Sequence, residues 1–341
     1  MKKRYLFPYF IFLLCSSSGF AQTMQAAVEH IENLEKTADA ATIAFFDYAS
    51  VRFLSRKEKE VTRKKNKLLE VLQNQEKRIG NEKGFNGQTR LKSGYSNFLG
   101  KMRQFPENLV SYTELTIDDY RTGVAQKRKK ALLAQLEMLK VAAGDVNLEV
   151  FKYITMNKCK DFSKGSTMPE KWQKAYTIFA YEQKIQESVL TVGALDRYFY
   201  ELVGCDSLDK AESVRLSILQ LSAAVGATVK VRSPVVTDDI LREAAVNSIN
   251  LYRLDAFRNF KPMLVARRKE MAFQKKYPNG AAGIGKSELA ISKYEKEKAN
   301  LDSELSIMRS LVKEMKKERD KHESAFDEYL AQFLERHMLG E

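Results

Sequence analysis

Stepping three and four residues alternately from Ile291 lands on Tyr294, Lys298, Leu301, Leu305, Met308, Val312, Met315, Arg319, His322, Phe326, Tyr329 and Phe333. Ten of these thirteen positions are apolar or aromatic. A seam of that period, held for about six heptads, is the pattern of a long helix laid against helical neighbours. Leu330, Leu334 and Met338 widen the stripe towards the end, as packing against more than one neighbour requires. Ser287 stands where an N-cap is wanted, and Glu288 puts a negative charge in the first turn.

The first part of the chain carries a matching stripe. Met24, Val28, Ile31, Leu34, Ala38, Ala41, Phe45 and Tyr48 share one face; Val51, Leu54, Val61, Leu68, Leu72 and Ile79 continue it among charged residues until Gly80 and Gly84. Read as one rod, each terminal helix runs about 55 residues, or about 80 Å. Between them, Gly84, Gly87 and Gly94 mark turns, Phe105-Pro106 opens a helix to about Ala143, and Gly144-Asp145 breaks it before a shorter helix to Cys159. The loop 160–168 ends in Thr167-Met168-Pro169-Glu170, a capping-box spacing that starts a helix running to Val203. Gly204-Cys205-Asp206, then Ser233-Pro234 with Thr237, separate further helices, and Lys261-Pro262 predicts a kink.

No run alternates with period two between turn signals. Residues 227–236 come closest, and Pro234 argues against a central strand there. No repeat of 20 to 50 residues is visible. The pattern predicts an all-α protein, an elongated antiparallel bundle of six or seven helices whose long first and last members pair. Residues 22–341 are expected to form a single domain, long enough to bury a sizeable core.

The N-terminus changes the picture. Lys2, Lys3 and Arg4 precede an apolar run from Leu6 to Leu14, and Gly19-Phe20-Ala21 puts small residues at −3 and −1 of a cut before Gln22. That order is a cleavable secretory signal, with a core too short to span a bilayer. Residues 1–21 are therefore expected to be removed and the mature chain to work in the periplasm or at the cell surface, without ATP. Cys15 invites a lipoprotein reading, but Leu14 stands where a small residue is needed. Cleavage takes three cations and no acid from a chain of formal charge +13.

Candidate chemistry is sparse. Cys159 and Cys205 flank a helix about 50 Å long, too far apart for a disulfide, and are expected to stay unpaired. Gly280-Ala-Ala-Gly-Ile-Gly285-Lys286-Ser287 matches the phosphate-loop pattern G-x-x-x-x-G-K-S. That loop needs a strand to deliver it and a second strand to supply an acid for Mg²⁺; here the preceding residues read as helix, so the glycines end one helix, Ser287 caps the next, and no nucleotide is expected. His30, His322 and His337 show no metal-ligand spacing, and neither cysteine has a histidine near in sequence. No catalytic residue, cofactor or metal is expected, and the chain reads as a non-enzyme.

The strongest candidate is electrostatic. Arg56, Lys57, Lys59, Arg63, Lys64, Lys65 and Lys67 stand against only Glu58 and Glu60. They form a candidate anion-binding patch for an envelope component or acidic protein. Clusters at 127–130, 267–269 and 313–321 add further cations. Nucleic-acid binders interleave such cations with exposed aromatics, and these clusters have almost none. Two roles fit: a non-catalytic helical scaffold or binding protein of the bacterial envelope, or a chaperone-like module that holds unfolded or acidic clients on basic helical arms.

Phe85-Asn86-Gly87-Gln88-Thr89-Arg90-Leu91, then a helix with Tyr95, Phe98 and Leu99, follows the long Lys-rich first helix. This order resembles a group of exported all-helical surface proteins of spirochaetes and Bacteroidota, and the Phe20-Ala21-Gln22 cut is similar to Bacteroidota signals. The resemblance covers the N-terminal third. It implies an envelope or surface location and a helical fold, and brings no catalytic residues.

Overall fold

In the computed structural model the described residues are 7–54, 58–85, 88–108, 118–119, 122–159, 165–231, 236, 238–284 and 287–339, with backbone alone for 7–23, 52–54, 107–108 and 339. Among them are nine α-helices: α1 (Phe7–Leu54), α2 (Glu58–Asn81), α3 (Arg90–Asn108), α4 (Val124–Asn157), α5 (Met168–Gly204), α6 (Leu208–Lys230), α7 (Ile240–Arg258), α8 (Phe260–Lys276) and α9 (Glu288–Leu334). The β pairing among the described residues is one isolated bridge, Phe85 to Gln88. The fold is all-α, as the hydrophobic periods predict. The expected cut before Gln22 falls inside α1.

The chain divides into two compact units. Unit 1 is drawn from Met1–Glu114, Lys127–Phe179 and Leu334–Glu341, and unit 2 from Leu115–Gln126 and Ala180–Phe333.

In unit 1, the expected single N-terminal rod is instead two helices packed on each other. Lys64 of α2 bonds Asp47 of α1, and Glu82 just beyond α2 reaches His30 of α1, so the two run antiparallel. Folding back covers two stripes at once: Ala27, Ile31, Leu34, Ala38, Ala41 and Phe45 on α1, and Val61, Leu68, Leu72 and Ile79 on α2 are all buried. One straight rod would leave both for other elements to cover. The long neighbour of α1 is thus α2; α3 also packs on it, as does the terminal turn Glu335–Leu339. Trp172 of α5 sits in a nest of rings, with Phe45 at 5.1 Å, Phe46 at 5.2 Å and Phe98 at 5.6 Å between centroids.

Three expected boundaries moved. α3 runs through Phe105-Pro106 to Asn108, with Phe105 buried against Phe45. α4 passes through Gly144 without a break, because Ala142, Ala143 and Val146 are buried on one face. A mid-helix glycine costs about 1 kcal/mol, less than burying those side chains returns. The kink foreseen near Lys261-Pro262 is a helix boundary at Asn259, whose N–H donates to the Asp255 carbonyl at 2.9 Å. Pro262 falls in the first turn of α8, where its missing N–H has no intrahelical partner to lose.

α5 starts where the capping-box spacing places it. Helix begins at Met168, and the Thr167 carbonyl accepts from the Lys171 N–H at 3.2 Å. Lys171, in the first turn of α5, pairs with Asp39 of α1 at 2.8 Å. Asp39 of α1 therefore lies near the positive end of α5, where a negative charge is favoured.

Unit 2 is built on α6, α7 and α8, which pack on one another, with α9 cross-linked to α7 and α8 by polar pairs. Lys276 meets Glu297 and Lys269 meets Glu304, both at 2.7 Å. Those rungs lie seven residues apart on each helix, the heptad spacing of an antiparallel coiled coil. Along α9 the seam is half-buried at Leu301, Leu305, Met308 and Val312 and buried at Tyr294, Met315, Arg319, Phe326 and Phe333, as is Leu330 beside it, while Ile291 and Tyr329, expected on the seam, are exposed.

Candidate functional site

Of the seven predicted anion-binding residues, Arg56 and Lys57 lie outside the described residues. The other five sit on the first turns of α2, where the buried stripe Val61–Leu68–Leu72 fixes which way they face. Lys59, Arg63 and Lys67 recur every four residues on the exposed side, about 6 Å apart along the axis. Lys65 is half-buried. Lys64 turns inward: its Nζ bonds both Asp47 oxygens, at 2.5 and 2.6 Å, and only 17% of its side chain is exposed. Lys67 reaches the same carboxylate at 4.0 Å. Among the described residues no carboxylate lies within ion-pair reach of Lys59, Arg63 or Lys65. The candidate patch therefore loses Lys64 to the fold and keeps an outward row. Sequence alone could not assign Lys64, because its partner lies on the preceding helix.

The Gly-rich loop has the structure expected of a connector. α8 leads into it, Gly280–Gly283 form a 3₁₀ turn, and Gly280 has φ +58°, a left-handed conformation suited to glycine. Gly285 and Lys286 lie outside the described residues. α9 opens directly after Ser287, whose carbonyl accepts from the Ile291 N–H at 3.0 Å. Beside the loop, between the two Lys–Glu rungs, is an open groove of about 340 Å³ lined by Ala272, Phe273, Asn300 and Leu301. Its four charged residues already pair with one another.

The histidines and cysteines do not assemble a catalytic centre among the described residues. His30 is buried between Phe85 and Tyr153, with ring centroids 6.5 and 5.8 Å away. Burial lowers its pKa, and Glu82 at 3.7 Å works against that shift. Cys159 is buried, which pushes its thiol up, and Cys205 is exposed in the α5–α6 turn; both are free thiols. No group of three His, Cys, Asp or Glu side chains is placed to hold a metal ion among the described residues.

One buried constellation was missed from sequence. Arg319, on the apolar seam of α9, meets Asp196 of α5 and Asp255 of α7. The signal available was a cation in the middle of a largely apolar stretch of the seam, which demands a buried acid. Nothing in the chain's order said which acids supply it.

No protein-family model matches this chain, and neither curated proteins nor solved structures give a match.

Proposed function

We propose that the chain is an exported, non-catalytic helical scaffold or binding protein of the bacterial envelope, which meets an anionic partner with the outward face of α2. The observation that carries the reading is the contrast within the first two turns of α2: Lys64 is engaged by Asp47, while Arg63 beside it and Lys59 before it face solvent with no carboxylate in reach among the described residues. Exposed like charges one turn apart repel one another, and an anionic surface relieves that repulsion. Export rests on residues 1–21, and an envelope location agrees with the resemblance of the N-terminal third.

The test is retention on heparin across a salt gradient. Lys59→Glu with Arg63→Glu should elute at lower salt than the wild type, because attraction between exposed charges fades beyond about 8 Å at physiological ionic strength. Lys64 is left in place so that the fold is spared. Identical elution of the two chains would remove this surface from the reading.

A second reading, the holding of unfolded clients, is favoured by one observation. Met138, Val141, Leu148, Phe151 and Met156 of α4 are all exposed apolar residues on the solvent side of that helix. Suppressed aggregation of a reduced, unfolding client, lost when Val141 and Leu148 become Ser, would favour it over the scaffold.

A further inference from the structure

Three helices of unit 2 meet at Arg319. Its Nε lies 2.7 Å from Asp196 Oδ2, and its Nη2 donates to Asp196 Oδ1 at 2.9 Å and lies 2.8 Å from Asp255 Oδ2. The side chains of Asp196, Asp255 and Arg319 are 2%, 8% and 9% exposed. The guanidinium lies over the rings of Tyr200 at 5.0 Å and Phe260 at 5.8 Å, and Phe260 is itself stacked on Phe199 at 3.8 Å. Water is thereby kept from two sides of the cation.

The surrounding charges do not balance the cluster. From α5, Arg197 faces Glu323 of α9 at 3.6 Å, and Tyr252 of α7 donates to that same carboxylate at 3.2 Å. From α6, Arg215 pairs with Glu212 and donates to the Ala256 carbonyl at 3.1 Å. Each pair is neutral in sum, and the half-exposed Arg197 opposes the negative charge on Asp196 without entering the buried cluster. At the start of α8, Asn259 donates to Asp255 Oδ1 at 2.7 Å and brings no charge. The buried count is therefore one cation against two carboxylates, an excess of one negative charge where charge is costly.

We propose that the Asp196–Arg319–Asp255 triad is a proton-operated catch that holds the last helix more firmly on α5 and α7 as the pH falls. One proton removes the excess charge, and Asp196 is the group that takes it. Burial, opposed first by Arg319 and also by Arg197 and aided by Asp255, pushes its carboxyl up to about 6. Asp255 moves in the same direction, first through burial. The folded pKa lies above the unfolded one, so folding binds the proton more tightly. The stabilisation is complete below the unfolded carboxylate range near pH 4 and is lost as pH rises through about 6.

The experiment is amide hydrogen exchange of the full chain, read on peptides covering residues 312–330 and corrected for intrinsic rates. Between pH 7.5 and pH 5, protection of the wild type should rise about tenfold, the change linkage gives for that pKa difference. Asp196→Asn carries a neutral side chain of the same shape at every pH; its protection at pH 7.5 should already match the acid wild type and change little. His322 lies on the same helix in both chains and cancels in the comparison. Parallel pH dependence of the two chains would overturn the catch. If the Asn variant does not fold, the Asp196 carboxyl carbon of the wild type is titrated by NMR: a midpoint near 6 supports the proposal, and one in the ordinary carboxylate range overturns it.

Discussion

The ring nest of unit 1 and the ion triad of unit 2 both bury bulky side chains, but they respond differently to damage. Around Trp172, the rings of Phe45, Phe46 and Phe98 pack at 5.1 to 5.6 Å, and none of the three needs a hydrogen-bond partner. Loss of one ring leaves a cavity whose cost depends on how far the neighbours relax. Around Arg319, loss of the cation leaves two carboxylates buried without their counter-charge, and relaxation does not remove charge. An apolar nest is graded, whereas an ionic cluster works as a set.

Two substitutions of similar expected size test that contrast through their remedies. Arg319→Met should cost about 3–5 kcal/mol, as breaking a buried pair does, and most of it should return when Asp196 and Asp255 are also made Leu. Chemical denaturation followed by circular dichroism measures both; a triple variant no better than the single one would say that packing, not charge, sets the cost. Phe45→Ala should also cost about 3–5 kcal/mol, while Phe45→Leu should cost only about 1 kcal/mol by keeping most of the volume. Trp172 is the only tryptophan, so its fluorescence reports that transition from within unit 1.

Smaller effects sharpen the comparison at the surface. Lys64→Met should destabilise by about 1–2 kcal/mol through the loss of its bond to Asp47. Lys59→Met, on the same helix but facing solvent, should stay within about 0.5 kcal/mol. Equal costs at the two positions would erase the distinction between an engaged and a presented cation. The smallest effect is at the start of α9, where Ser287→Ala should lower the thermal midpoint by the equivalent of about 1 kcal/mol.

Local periodicity made much of this legible. The buried residues Tyr294, Met315, Phe326 and Phe333 fall on the seam read from Ile291, and Leu330 on its widening, whereas Ile291 and Tyr329 of that seam are exposed; α5 and α9 begin where Thr167 and Ser287 suggest. What periodicity could not supply is which helix covers which. The stripe from Met24 to Ile79 is continuous in sequence, yet the chain folds back within it, because a one-dimensional pattern records that a face is apolar and not what meets it. Gly144 misled for a related reason: a glycine signals a stop only where packing on both sides does not enforce the helix. At the candidate surface, the charge run was legible, but the inward turn of Lys64 depended on an acid seventeen residues earlier.

The Lys–Glu rungs between α8 and α9 have a consequence for how this hairpin finds its alignment. Because Lys269 and Lys276 stand one heptad apart, as do Glu297 and Glu304, sliding one helix by seven residues would still form one of the two pairs. The surface rungs therefore cannot tell the right threading from its nearest wrong one. Arg319 can: the same slide would carry it two turns away from Asp255 and leave its charge among apolar neighbours, a penalty of several kcal/mol. The cation on this seam therefore discriminates against the shifted alignment, which the surface rungs do not.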